Sequence, residues 1–329
     1  MSHLLEVKGL TTAFSADYGE SISVDHVSFH VDEGETVCIV GESGCGKSVT
    51  SLSIMGLLGR GGAVIDGSVL FDGKNLLELT EKELDELRGN RISMIFQDPL
   101  TSLNPVFTVG SQIVESICTH MNLSKKEAMQ RAEDILAKVG MPDPHGTMKK
   151  YPHTLSGGMR QRVMIAMALC CNPALLIADE PTTALDVTIQ AQIMFLLRNL
   201  RRESGMSMIL ITHDIGLVAR MADRVLVMYA GQMIEEAPVK ELFAKPAHPY
   251  TRALLATVPS IYDKEDRTLE SIPGIVPENY DKITGCRFAD RCPYRKPECD
   301  APQQMEMLSE KRRVRCWRAA REGMIEDGV

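Results

Sequence analysis

The stretch GESGCGKS, residues 41–48, decides how the rest of the chain is read. It fits the spacing G-x-x-x-x-G-K-[ST], directly after the apolar run ETVCIV (35–40) and before a segment with helical patterning. That strand–loop–helix setting is the one in which the spacing has chemical meaning. Glycines let the backbone curl until several N–H groups face one point, and the helix that follows adds the positive end of its dipole. Such a loop cradles the phosphates of a nucleoside triphosphate. Lys47 neutralises phosphate oxygens, and Ser48 offers a hydroxyl to Mg²⁺. The expected binding set is Ser43, Gly44, Cys45, Gly46, Lys47, Ser48 and Val49. Cys45 contributes through its backbone, since phosphate binding there is by main-chain N–H groups.

Outward from this loop, strand-like and helix-like segments alternate, which predicts an α/β core. ALLIAD (174–179), MSMILIT (206–212) and RVLVMYAG (224–231) are continuous apolar runs like ETVCIV. Such runs suit strands buried on both faces of a sheet. In SKKEAMQRAEDILAKVG, Ser124 and Glu127 stand in capping-box register, and Thr80 and Glu83 repeat that spacing in TEKELDEL. Ala128, Ala132, Ile135, Leu136 and Val139 then share one helix face, with Gly140 as the cap. From about 98 to 165 helical patterning dominates, so a helical subdomain is expected inside a nucleotide-binding domain spanning 1–255. After about 255 proline and charge rise, and 256–329 reads as a C-terminal extension.

Composition excludes some classes of function. The 329 residues include 36 basic and 44 acidic side chains, for a net charge of −8. An acidic chain argues against nucleic acid as the main partner, because phosphate neutralisation needs a basic surface. No apolar run approaches the roughly 18–20 residues needed to span a bilayer. The start, MSHLLEVKGL, lacks the features of a secretory signal. The expectation is a cytoplasmic chain, peripheral if it works at a membrane.

Two further stretches narrow the chemistry. LLIADEP (175–181) ends an apolar strand in Asp179, placed to reach Mg²⁺ directly or through water. Glu180 follows at the open end of the strand, where ligands bind in such sheets. A carboxylate there can orient and deprotonate an attacking water. LSGGMRQR (155–162) opens a second helix with exposed N–H groups and the Ser156 hydroxyl, which makes a second anion site. A single compact domain has no obvious use for two phosphate cradles, so the second is expected to serve a nucleotide held by another subunit.

With these motifs assembled, residues 4–255 resemble the ATPase subunits of ATP-binding cassette (ABC) transporters. Five elements occur in that family's order: GESGCGKS, Gln97 in IFQDP, LSGGM, LLIADEP and His213 in LITHD. The resemblance implies an ABC-type P-loop ATPase acting as a head-to-tail dimer. Each ATP would lie between one chain's phosphate loop and the signature Leu155, Ser156, Gly157, Gly158 and Met159 of another. Glu180, Gln97 and His213 would form the catalytic set, Ser48, Gln97 and Asp179 the Mg²⁺ set, and Asp186 the end of a loop that crosses the dimer. Phe14 is the first candidate to stack on adenine and Tyr18 the second. Met159 departs from the family's usual glutamine, and the serine and both glycines remain.

The helical-subdomain stretch MIFQDPLTSLNPVFTVGSQI (94–113) and the tail AKPAHPYTRALLATVP (244–259), followed by GCRFADRCPYRKPEC, resemble the dipeptide and oligopeptide importers more specifically. That resemblance implies an ATPase subunit energising peptide import at the cytoplasmic face of the cell membrane. Its partners would be two membrane permeases, a second ATPase that is a paralogous chain, and an extracytoplasmic peptide-binding protein. Nickel and glutathione are alternative cargoes of the same group. The rival from another class is a soluble ABC ATPase acting on nucleic acid or ribosomes.

Cys286, Cys292, Cys299 and Cys316 are separated by five, six and sixteen residues. A reducing compartment disfavours structural disulfides, so these residues read as metal ligands. From the residues alone, zinc and an iron–sulfur cluster stand level, with unliganded cysteines as a third alternative, because the gaps match neither the usual zinc ribbons nor the common ferredoxins. The importer resemblance implies a [4Fe–4S] cluster bound by all four, in a small C-terminal metal-binding module, with Zn²⁺ as the alternative. The basic run KRRVRCWR (311–318) is expected to balance the charge of the thiolates, and Trp317 to pack beside them.

Overall fold

The computed structural model describes residues 3–16, 19–98, 102–183, 185–257 and 272–321. In chain order its strands are β1 (Leu5–Ala16), β2 (Gly19–Val31), β3 (Thr36–Val40), β4 (Gly62–Phe71), β5 (Lys74–Asn75), β6 (Ile92–Ile95), β7 (Leu175–Asp179), β8 (Ser207–Ile211), β9 (Arg224–Tyr229), β10 (Gln232–Pro238), β11 (Glu306–Ser309) and β12 (Arg312–Val314). The chain divides into two units. The first is Met1–Val31, Thr36–Leu77 and Thr212–Val329; the second is Asp32–Glu35 and Glu78–Ile211.

In the first unit β3 and β9 run parallel, with Cys38 opposite Val225 and Ile39 opposite Leu226. Both strands are buried at every position, as their unbroken apolar sequences require of strands covered on two faces. The ladder continues antiparallel from β9 to β10, β12 and β11. A separate antiparallel sheet has the order β2-β1-β4-β5. There the chain alternates: Val27, Phe29 and Val31 point inward, while Ser28 and His30 stay partly exposed. This sheet was not part of the sequence expectation.

In the second unit β6, β7 and β8 are parallel, with Ile92 opposite Leu175 and Leu175 opposite Ser207. Helices Val109–His120, Lys125–Lys138, Pro144–Met148 and Gly157–Leu169 occupy the stretch expected to be helical. Both predicted capping boxes form. Ser124 and Glu127 close one, and Thr80 and Glu83 the other, each satisfying two first-turn N–H groups. The five residues of the predicted apolar face are all buried.

The C-terminal segment is built into the first unit. β12 pairs with β10, Val314 opposite Glu235 and Arg313 opposite Glu236. Those two glutamates are buried. Glu236 receives Arg224 on one oxygen and Arg313 on the other. Glu235 accepts the N–H groups of Ala247 and His248, both at 2.8 Å, and Arg312 lies 3.4 Å away. Arg315 donates to the carbonyls of Met233 and Gln303. The expectation that the basic run answers the thiolates is corrected here. Arg312, Arg313 and Arg315 reach carboxylates and carbonyls instead, because a buried carboxylate is costly without a partner. Of these arginines, Arg318 lines the cavity between the thiols.

Removing one partner of such a buried network strands the others. Glu236→Ala should lower the free energy of unfolding by about 3–5 kcal/mol, measured by urea denaturation. A loss below about 1 kcal/mol would show that the network does not hold the tail in place.

Candidate functional site

The phosphate loop lies in the first unit, between β3 and helix Lys47–Met55. Gly46 caps that helix at φ 98°, and a Cβ there would stand 2.7 Å from the Ser23 carbonyl oxygen. Only glycine fits both the backbone twist and the space. Lys47 is buried, and its ammonium donates to the carbonyls of Gly41 and Glu42, both at 2.9 Å. The lysine head is thus held over the loop's own mouth. The Cys45 thiol is buried beneath it, and burial pushes its pKa up, which leaves it protonated and unreactive.

Side chains from elsewhere in the first unit hold this loop. The Glu42 N–H donates to the Tyr250 hydroxyl at 2.9 Å. The Glu42 carboxylate takes both arms of Arg291, at 2.8 and 3.1 Å. Phe288 packs edge-on against Tyr229 and Tyr250. His248 is fully buried behind them, and burial lowers its pKa to about 3, so it is a neutral acceptor for the Tyr250 N–H.

His213 also belongs to the first unit and is exposed, in the turn before helix Ile215–Met221 that Asp214 caps. Phe14 is half-buried on β1, its ring against Gly62. Tyr18 lies outside the described residues.

The acidic pair lies in the second unit. Asp179, the last residue of β7, is buried. Glu180 follows in the left-handed region at φ 45°. A glutamate held there stores strain, a feature that clusters at functional sites. Its Oε2 receives Gln97 Nε2 at 3.2 Å and the Thr183 hydroxyl at 2.8 Å, and its N–H donates to the Ile211 carbonyl at 2.9 Å. Gln97 and Glu180, read separately from the sequence, are brought together. Thr183 was missed, although it stands three residues on in the same turn.

The signature stretch is also in the second unit. Ser156 caps helix Gly157–Leu169, and its hydroxyl accepts the Met159 N–H at 3.4 Å. Ser156 and Gly157 are exposed, and Leu155 beneath them is buried. At Gly158 a Cβ would come to 3.0 Å from Ile189, so the helix start must be small there. Asp186 caps helix Val187–Ser204 by accepting the Ile189 N–H at 3.0 Å.

The four C-terminal thiols line one cavity of about 20 Å³ in the first unit, together with Phe288 and Trp317. Trp317 Nε1 donates to the Cys299 sulfur at 3.3 Å. Burial raises Cys286 to about 12 and pushes Cys292 and Cys316 up as well. Among the described residues, no three of these sulfurs lie within 4.8 Å of one another.

The sequence matches the family model described as ABC transporter over residues 24–183. It matches the model described as oligopeptide/dipeptide transporter, C-terminal region, over residues 234–299. It is 53% identical to the oligopeptide transport ATP-binding protein AppD of Bacillus subtilis, over 98% of this chain and 99% of that protein. It is 50% identical to the dipeptide transport ATP-binding protein DppD of Escherichia coli, over 95% of this chain and 96% of that protein. The fold is similar to that of an ATP-binding cassette solved as a dimer in a post-hydrolysis state bound to ADP and Pi. The TM-score is 0.65 and the identity 29%, covering 71% of this chain and 98% of the other.

Gly46→Val places a branched side chain at a positive φ against the Ser23 carbonyl. It should abolish measurable binding of a fluorescent ATP analogue while leaving far-UV circular dichroism unchanged. Retained binding would mean that phosphates are held elsewhere.

Proposed function

The chain belongs to the ATP-binding proteins of oligopeptide/dipeptide ABC transporters, which are ATPases coupled to transport, and on that basis we propose that it powers peptide import from the cytoplasmic face of the cell membrane. The observation that carries the peptide reading is the match of the C-terminal region, residues 234–299, in addition to the cassette. Among the described residues no helix is long and apolar enough to cross a membrane. Two permease subunits would supply the membrane path, and an extracytoplasmic binding protein would deliver the peptide. The second ATPase is a paralogous chain. Co-expression with the neighbouring permeases tests the reading: the chain should sediment with membranes, and a chain that stays soluble would contradict it.

In this reading Lys47 and the loop backbone bind the β- and γ-phosphates, and Ser48, Gln97 and Asp179 serve Mg²⁺. Phe14 stacks on adenine. Leu155, Ser156, Gly157, Gly158 and Met159 present the second anion site to the partner's nucleotide, and Asp186 faces the partner. Glu180 is the base that takes a proton from the attacking water, with Gln97 and Thr183 fixing its carboxylate, and His213 contacts the γ-phosphate. Glu180→Gln should cut ATP hydrolysis by about 10²- to 10⁴-fold with ATP affinity retained. Undiminished turnover would remove Glu180 from the role of base.

Cys286, Cys292, Cys299 and Cys316 would hold a [4Fe–4S] cluster. Convergence of four thiols on one cavity supports this reading. Zn–S bonds of about 2.3 Å would hold the sulfurs about 3.8 Å apart, closer than their present spread, so a larger group suits the set better. When bound, the cluster would supply four cross-links to a segment with little apolar core of its own. Chain purified without oxygen should contain about four iron and four labile sulfides and be brown. Colourless protein carrying one zinc would overturn the assignment.

A further inference from the structure

Arg291 belongs to the cysteine-bearing segment, yet it reaches the phosphate loop. It sits in the short turn Ala289–Arg291, immediately before Cys292. Its side chain is 8% exposed. Nη1 and Nη2 grip the two oxygens of Glu42 at 2.8 and 3.1 Å. The other donor positions are spent on fixing the guanidinium: Nε donates to the Pro273 carbonyl at 2.7 Å, Nη2 to that of Ile272 at 3.3 Å, and Nη1 to the Tyr229 hydroxyl at 3.2 Å. The planar group also lies over the rings of Tyr229 and Phe288. Such a fork is pre-organised for a carboxylate in a way that a lysine is not.

Glu42 is the second residue of the phosphate loop. Its carbonyl accepts the Lys47 ammonium, and its N–H donates to Tyr250. The residue that Arg291 grips is therefore in direct contact with the lysine that must turn to a phosphate. A carboxylate in that position carries negative charge toward a site whose ligand is a polyanion. Held in a bidentate pair it is neutralised, and its backbone is pinned; released, it repels the ligand and competes for Lys47.

We propose that Arg291 is a positioning residue for nucleotide binding. Acting through Glu42, it neutralises and orients the phosphate loop from within the cysteine-bearing segment. The proposal rests on the ATPase reading and does not require that any metal be bound. Because Cys292 follows Arg291 directly, the clamp is tied to the placement of the thiols, and the C-terminal segment becomes part of the nucleotide site's support.

A double-mutant cycle on the full chain tests this, with Kd for ATP as the readout and thermal midpoint as the control for folding. With Glu42 present, Arg291→Ala should weaken ATP binding about tenfold. In a Glu42→Gln background the same change should weaken it less than about twofold, because the charge it leaves uncovered is gone. Arg291→Lys, which keeps the charge and loses the fork, should fall between. If Arg291→Ala does not fold, the Arg291→Lys cycle carries the test with the same expected rescue. An equal loss in both backgrounds, or no loss in either, would overturn the proposal, since a purely structural role has no reason to depend on the Glu42 charge. A wild-type chain that binds no ATP would instead contradict the ATPase reading itself.

Discussion

Glu42 is where three demands on the first unit meet. Its carbonyl holds Lys47, its N–H is taken by Tyr250, and its carboxylate is gripped by Arg291. The phosphate loop turns through positive φ angles at Gly41, Gly44 and Gly46, which glycine adopts without strain but at a high entropic cost of ordering, so the loop keeps one shape only where its surroundings hold it. Here the surroundings come from the far end of the chain. The aromatic group of Tyr229, Tyr250 and Phe288, the buried His248, and the carboxylates Glu235 and Glu236 all fix the C-terminal segment against the strands that carry the loop. The same constraint explains why the basic run in the tail is spent on β10: without Arg312 and Arg313, buried Glu236 would keep only Arg224, and buried Glu235 only the N–H groups of Ala247 and His248.

The parts of the fold that were legible in the sequence are those whose signals are local. β3, β7, β8 and β9 are unbroken apolar runs because they are buried on both faces. The two capping boxes are three-residue patterns with a fixed hydrogen-bond meaning. The sheet of β1, β2 and β4 also left a trace, in the period-two alternation of VSFHV (27–31), but the exposed positions at the start of β2 diluted it. The hairpin of β11 and β12 left none. A strand whose arginines turn inward reads as a solvated basic run until its partners are known, and Glu236 lies 77 residues from Arg313.

The candidate site divides in the same way. Lys47, Ser48, Asp179, Glu180 and Ser156 were read from spacing, because phosphate and water chemistry demand particular atoms at particular offsets from strand and helix ends, whereas Gln97 and His213 came only from the family resemblance. Arg291 and Tyr250 came from neither. Their link to the loop spans more than two hundred residues, and although both lie in stretches that carry the importer resemblance, nothing in those stretches assigned them a role at the loop. Thr183 was within reach, since a hydroxyl three residues after Glu180 in the same turn is well placed to hold its carboxylate.

The central claim is that this chain converts ATP hydrolysis into peptide import. The most direct test is the ATPase rate of the complex, assembled with its permeases and second ATPase in vesicles, as peptide-loaded binding protein is added on the extracytoplasmic side. The account predicts that di- or oligopeptides raise the rate and that nickel and glutathione leave it unchanged. A rate that responds to nickel or glutathione and not to peptide, or to none of them, would contradict it.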